Sequence, residues 1–452
     1  MESAEHMTSY CQLIEKNNDI LVISFSHIGL AAGSFAHPHA LTTFPYSLLQ
    51  LNCPDNSFYL CPIPGVGQDV ESISCALKNR IAALGPRKVV CYGASMGAFG
   101  ALLYGFLLEV DLIIALGPEV SLGLKGAPAR GVAGDPAVFT HPLAKNLLKV
   151  VKTCKTRVVA LFGEKATADM FGALDLHDRL ADSCYSVKNA FHDLAAFIEG
   201  VYGLSRFLLE TAESAQLPTA FLAEHCSDLI QHRRLVESLY GITHGDKRDS
   251  SVLEILETIP ACASPETKSY AYLAAAKRFL TGREDIEGRY ALRKALSLNP
   301  REIDLVTFYF GLYPEEFMSL EVREEHLLHL MNAHRCNKSP TYYRLAALML
   351  RHQWPAAPHT EDWLAPFFVY DRQRAELAFH LAQLLEVEGD LQGAEEQSQR
   401  ALDLNPHNPV YSQFQSAIRT RMGKKTPSAA TPLRARQHST LGASLSTMEA
   451  CA

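Results

Sequence analysis

A serine hydroxyl attacks a carbonyl only when a base takes its proton and nearby donors receive the charge that develops. One stretch has the residue types for this. In VVCYGASMGAFGALLYG, Val89 to Gly105, an apolar run passes through Gly93-Ala94-Ser95-Met96-Gly97 into a run of small residues. A buried strand that turns sharply into a helix at Ser95 holds the hydroxyl out at the edge of a sheet on strained backbone. Gly93 and Gly97 suit that turn, since a side chain at either position would meet neighbouring backbone. The N-terminus of the following helix adds positive partial charge beside the hydroxyl. The same residues also fit a plain glycine-bounded turn in which Ser95 only caps a helix.

A nucleophilic serine needs a histidine later in the chain, and His192 in NAFHDLAAFIEG stands just after an apolar run and at the head of a helix. The orienting acid should follow the run TRVVALF, where GEKATADMFGALD offers Asp169, with Glu164 and Asp175 as alternatives. Asp169 falls a few residues past the strand, at the start of the next helix. It also suits a helix cap that bonds only backbone. Two backbone N–H groups are needed for the oxyanion: one from Met96, the other from Ser26 or His27 in SFSHIGLAAGSF. His37 and His39 lie close together, but with no acid nearby they read as a surface loop, so neither a metal nor a cofactor is expected.

These residues must be placed by strands and helices, and the chain supplies an alternation of both. Apolar, β-rich runs at 19–25, 57–61, 88–93, 111–117, 156–162 and 184–189 are separated by helical patterns such as 69–84 and 170–181. Runs of this kind fit strands buried on both faces of a mainly parallel sheet, α/β in class. After residue 210 the pattern turns helical to about 420, with an internal echo. GREDIEGRYALRKALSLNP (282–300) matches GDLQGAEEQSQRALDLNP (389–406), each preceded by an Ala-rich helix at 270–280 or 375–388. Small residues let such helix pairs approach closely, and Asn-Pro ends the second helix of each. The repeat is similar to the tetratricopeptide repeat. Residues 421–452, rich in Ser, Thr, Ala and Pro, read as a disordered tail.

With 452 residues and a net charge of −7, the chain has material for several domains and no basic surplus that would favour nucleic acid. Its eleven cysteines lack paired spacing, which fits a reducing, cytoplasmic setting. No apolar run approaches a membrane span, and the polar start lacks the pattern of a signal peptide.

Taken together, ILVISFSHIG, NSFYLCPIPGVGQD (56–69) and VVCYGASMGAFGALLYG make residues 18–206 resemble an α/β-hydrolase. More narrowly, they resemble the bacterial α/β-hydrolase-like proteins found with glycan and capsule biosynthesis or joined to tetratricopeptide repeats. The resemblance implies an α/β-hydrolase-type sheet in 1–210, a tetratricopeptide-like domain in 211–420 and a Ser95/Asp169/His192 triad. The chain departs from the family pattern at Ala166, where the acid usually stands, so Glu164 and Asp175 remain open. The expected activity is that of a serine esterase or thioesterase on an acyl or acylated-glycan substrate, with the helical repeats binding a protein partner. The alternatives are an acyltransferase of polysaccharide biosynthesis and a non-catalytic scaffold.

Overall fold

The structure is a computed structural model. It describes residues 8–132, 136–145, 147–150, 155–244, 256–257, 264–319, 327, 330–332, 340–354 and 360–423. The chain divides into two compact units, Met1–Ala271 and Tyr272–Ala452.

Eight strands form one sheet among the described residues of the first unit. They are β1 (Cys11–Ile14), β2 (Asn17–Phe25), β3 (Tyr46–Leu51), β4 (Lys88–Ala94), β5 (Leu112–Leu116), β6 (Arg157–Gly163), β7 (Cys184–Val187) and β8 (Cys226–Ser227). Their order is β1-β3-β2-β4-β5-β6-β7-β8; the two outermost pairings are antiparallel and the inner ones parallel. After β2 the chain steps to one side to lay down β3, then returns past β2 to place β4 on the other. The loops leaving β2 and β4 diverge there, which is the position at which open α/β sheets bind their ligands.

The inner strands are mainly apolar because both faces are covered. Val22, Val90, Tyr92, Ile114, Leu116, Val159 and Leu161 pack on one face against Leu194, Ile198, Phe207, Leu208 and Phe221. These come from helices that follow α1 (Pro38–Thr42), α2 (Val70–Leu84), α3 (Met96–Leu108) and α4 (Thr167–Arg179): α5 (Leu194–Val201), α6 (Leu204–Ser214) and α7 (Thr219–His225). On the other face, α3 lies close to the sheet. A Cβ on Gly100 would stand 2.6 Å from the Tyr59 ring, and one on Gly105 would stand 2.5 Å from Ile113.

The structure differs from the sequence reading in three places. Residues 57–61 are not a strand: Phe58 and Tyr59 have φ of 52° and 59° and form a turn beneath α3. Both rings are fully buried, and the Tyr59 hydroxyl donates to the Ser26 and Leu51 carbonyls. The run is apolar because it is core, and the strand that was missed is β3. Second, β1 rises from the polar start. Third, the sheet-bearing unit runs to Ala271, beyond the boundary expected at 210. β8 pairs with β7, α6 and α7 cover the sheet, and α8 (Arg233–His244) packs on α4, with Tyr240 stacked 4.1 Å from Phe171.

The described part of the second unit is helical. The Ala-rich helix 375–388 of the sequence is part of α13 (Asp371–Glu388), which turns at Gly389 (φ 88°) into α14 (Leu391–Leu404). The earlier echo pairs α9 (Pro265–Thr281), which spans the boundary between the units, with α10 (Asp285–Leu298). Within the second unit a Cβ on Gly288 of α10 would fall 2.6 Å from Leu280, and Ala375, Ala378 and Ala401 are buried around Phe379 and Tyr411. Between the echoes lie α11 (Ile303–Leu312) and α12 (Pro340–Arg351), and α15 (Pro409–Gly423) closes the described chain. The tail expected at 421–452 lies outside the described residues from 424 onward.

Candidate active site

β4 ends at Ala94, and Ser95 turns the chain into α3 with φ 54° and ψ −123°. A non-glycine residue rarely adopts this conformation, and it costs on the order of 1–3 kcal/mol. The Ser95 N–H donates to the Leu116 carbonyl (2.8 Å), and its carbonyl accepts from Ala98 (2.9 Å), so neighbouring structure enforces the strain. The flanking glycines are obligatory. A Cβ on Gly93 would lie 2.1 Å from the Gly97 oxygen, and one on Gly97 would lie 2.1 Å from the Phe25 oxygen.

The Ser95 Oγ stands 2.7 Å from His192 Nε2, and His192 Nδ1 stands 2.6 Å from Asp169 Oδ2. Asp169 is buried in the first turn of α4, and His192 is about one-fifth exposed. In the neutral ring a carboxylate at Nδ1 fixes the proton there and leaves Nε2 to accept from the serine hydroxyl. Two strand ends hold the histidine loop. A Cβ on Gly117 (φ 60°) would stand 2.6 Å from the His192 oxygen, and one on Gly163 would stand 2.2 Å from the Phe191 oxygen. α4 is tied down as well: Thr167 Oγ1 lies 2.7 Å from Thr243 Oγ1 and 3.1 Å from His244 Nε2, both on α8.

Burial opposes charge on His192. The Asp169 carboxylate and its hydrogen bond, with the charges of Glu119 and Asp193, outweigh that and hold the imidazole up at about 9. Glu119 is a residue that the sequence reading missed. It is 2% exposed, just past β5, and burial first, then the Asp169 charge, push its carboxyl up to about 8. The available signal was an acid two residues beyond the glycine that ends the run DLIIALGPE.

Of the expected oxyanion donors, the Met96 and His27 N–H groups have no acceptor among the described residues, and both stand just past the carboxyl ends of neighbouring strands. Ser26 does not serve: its N–H donates to the Leu51 carbonyl (2.9 Å), continuing the β2–β3 ladder, and its Oγ accepts from Ala36. The alternative acids are placed elsewhere. Glu164 is fully buried and accepts from the hydroxyls of Ser227 (2.5 Å), Ser264 (3.2 Å) and Thr267. Asp175 is on the surface, paired with Arg233 at 3.0 Å.

No family model matches the chain, and no curated protein matches it. Several solved structures overlay part of it. The capsule O-acetyltransferase of Neisseria meningitidis serogroup A is 16% identical, covering 46% of this chain and 92% of its own, with a TM-score of 0.35. The Glycosylation Associate Protein (Gap123) complex from Streptococcus agalactiae is 14% identical, covering 46% of each chain, with a TM-score of 0.33. XC6422 from Xanthomonas campestris, an α/β serine hydrolase without a lid, is 14% identical, covering 46% of this chain and 89% of its own, with a TM-score of 0.29. Likenesses this small define neither a family nor an activity.

Proposed function

We propose that the first unit is a serine-dependent acyl-transfer enzyme, with Ser95 as nucleophile, His192 as base and Asp169 as the acid that orients it. The reading rests on one observation, the unbroken hydrogen-bonded path from Ser95 Oγ through His192 to Asp169, beginning at a residue in strained backbone.

As Ser95 Oγ adds to the substrate carbonyl, its proton passes to His192 Nε2, and the imidazolium is stabilised by Asp169. The carbonyl oxygen becomes an oxyanion received by the Met96 and His27 N–H groups. When the tetrahedral adduct collapses, the leaving oxygen or sulfur takes the proton from Nε2, and an acyl-Ser95 ester remains. Water, deprotonated by the same nitrogen, releases the acid and restores the serine. This is esterase or thioesterase chemistry. A sugar hydroxyl in place of water makes the same residues an acyltransferase with an acylated glycan as its product, whereas an acylated-glycan substrate suits the esterase.

The helical unit is read as tetratricopeptide-like pairs that bind a protein partner. The repeated Gly- and Ala-lined helix contacts support this, as does Arg344 on α12, a half-buried cation with no acid partner among the described residues. Among the described residues no helix is long and apolar enough to cross a membrane. A cytoplasmic location remains part of the proposal.

The test is labelling by a fluorophosphonate probe, followed by intact mass, on the wild type, Ser95→Ala and His192→Ala. One adduct on the wild type, absent from Ser95→Ala and slowed at least about 10³-fold in His192→Ala, supports the assignment. A folded wild type that takes no label refutes it.

A further inference from the structure

The loop that leaves β2 is held by the segment that follows β3. Asn52 is 1% exposed, and its Nδ2 donates among the Leu30, Ala31 and Ser34 carbonyls at 3.3, 3.2 and 3.1 Å. Asn56 Oδ1 accepts from the Gly29 N–H at 2.9 Å. The Tyr59 hydroxyl, on a fully buried side chain, donates to the Ser26 carbonyl at 2.8 Å. All three residues belong to the connection between β3 and α2, and its backbone is strained. Asp55, Asn56, Phe58 and Tyr59 stand at φ of 54°, 49°, 52° and 59°. Non-glycine residues in the left-handed region persist only where their surroundings over-determine them. For Tyr59 they do: its carbonyl accepts from the Tyr104 hydroxyl at 2.9 Å, its ring meets Phe25 edge-on at 5.1 Å, and a Cβ on Gly100 would stand 2.6 Å from that ring.

The Ser26 carbonyl is the other half of the peptide group that carries the His27 N–H. In a planar trans peptide the two bonds point in opposite directions, so fixing the oxygen fixes the hydrogen. Among the described residues that oxygen has one donor, the Tyr59 hydroxyl. It faces packed protein, since a Cβ on Gly97 in the first turn of α3 would stand 3.0 Å from it. The His27 N–H is therefore turned away from that packing, and it has no acceptor among the described residues.

We propose that Tyr59 is a positioning residue for the oxyanion donor. Its hydroxyl holds the Ser26–His27 peptide so that the His27 N–H faces the charge developing on the substrate oxygen, and Asn56 steadies the same loop at Gly29. The proposal rests on the reading of Ser95 as nucleophile and of His27 as donor. The strained turn at 55–59 then serves the site by fixing a donor before the substrate arrives.

The test compares wild type with Tyr59→Phe, which removes the hydroxyl and keeps the ring, in the full-length chain. Labelling by a fluorophosphonate, whose phosphoryl oxygen takes the place of the oxyanion, should slow by about 10- to 100-fold per folded molecule, less than the loss of a whole donor. Ser186→Ala is the control. It removes a buried hydroxyl that donates to the Ser227 carbonyl at 2.8 Å, and it should lower stability while leaving labelling unchanged. NMR spectra with labelled histidine read the peptide itself, the His27 amide being identified by its loss in His27→Gln. In Tyr59→Phe that amide should shift and exchange faster with solvent before any probe is added. Asn56→Gly removes the Gly29 acceptor at a φ that glycine adopts freely. It should move the same amide and slow labelling to a smaller extent, and it decides alone if Tyr59→Phe does not fold. In a wild type that labels, a His27 amide left in place or a labelling rate left unslowed by the deciding variant overturns the proposal and spares the acyl-transfer reading. A folded wild type that takes no label refutes that reading and this role with it.

Discussion

Gly97 carries two burdens at once, and replacing it with alanine tests the packing that sets up Ser95. The new methyl carbon would stand 2.1 Å from the Phe25 oxygen and 3.0 Å from the Ser26 oxygen. Both are backbone atoms at the end of β2, so no side chain can swing aside. The overlap of about 1 Å has to be relieved by moving the first turn of α3 or the end of β2. Either movement shifts the N–H groups proposed to receive the oxyanion, since α3 begins at Met96 and β2 leads into His27. Overpacking of this sort costs about 1–3 kcal/mol, and a displacement near 1 Å costs about 10²-fold in rate. Chemical denaturation and the second-order rate of fluorophosphonate labelling measure the two effects. Gly200→Ala is the matched control. It sits in α5 with open space around its Cβ, and it should gain up to about 1 kcal/mol with no change in labelling. A Gly97→Ala protein as stable as wild type and labelled as fast would refute the argument that this close approach builds the site.

Stability should also depend on pH through His192. Its folded pKa is raised from 6.5 to about 9, so its stabilising pairing with Asp169 is fully present below 6.5 and is lost as pH rises through about 9. The stability difference between wild type and His192→Gln should therefore shrink between pH 6 and 9.5, by at most about 3 kcal/mol, in urea unfolding at several pH values; a difference that grows would contradict it. The two displaced acids should behave unlike Asp169. Glu164→Gln loses charge under three hydroxyl donors and should cost about 2–4 kcal/mol while the folded fraction still labels normally. Asp175→Asn, on the surface, should cost less than about 1 kcal/mol and leave labelling unchanged.

The strand-to-helix turn at Ser95 was legible because local rules and the global fold agree there: β4 is apolar on both faces, the glycines are demanded by contact, and α3 starts at Met96. The position of His192 beside Ser95 follows from its place after the run at 184–189, the last strand expected from the sequence. The misreadings share a cause. The run at 57–61 has the composition of a strand, but its burial comes from a turn packed under α3, and composition reports burial before it reports backbone. Ser26 stands where a donor is wanted, but whether an N–H is spent on a ladder depends on strand register, set by a partner strand the reading had not found. Glu119 follows a strand end as Asp169 does, and only the folded packing shows that it is buried while Asp169 meets His192. The role of α8 in holding α4 was hidden because its residues look like those of any amphipathic helix.

Glu164 has a consequence for the order in which the protein is made. It leaves the ribosome with β6, yet the Thr267 hydroxyl that meets it comes 103 residues later, and the Ser227 hydroxyl comes 63 residues later with β8. At ordinary rates of synthesis, about 5–20 residues each second, a carboxylate destined for the interior waits roughly 5–20 s for its last partner. During part of that interval β7 has an open edge, because β8 does not yet exist to cover it. The nascent chain already contains Ser95, Asp169 and His192 at that point, but the sheet that presents them is completed only by residues from beyond the stretch that holds all three.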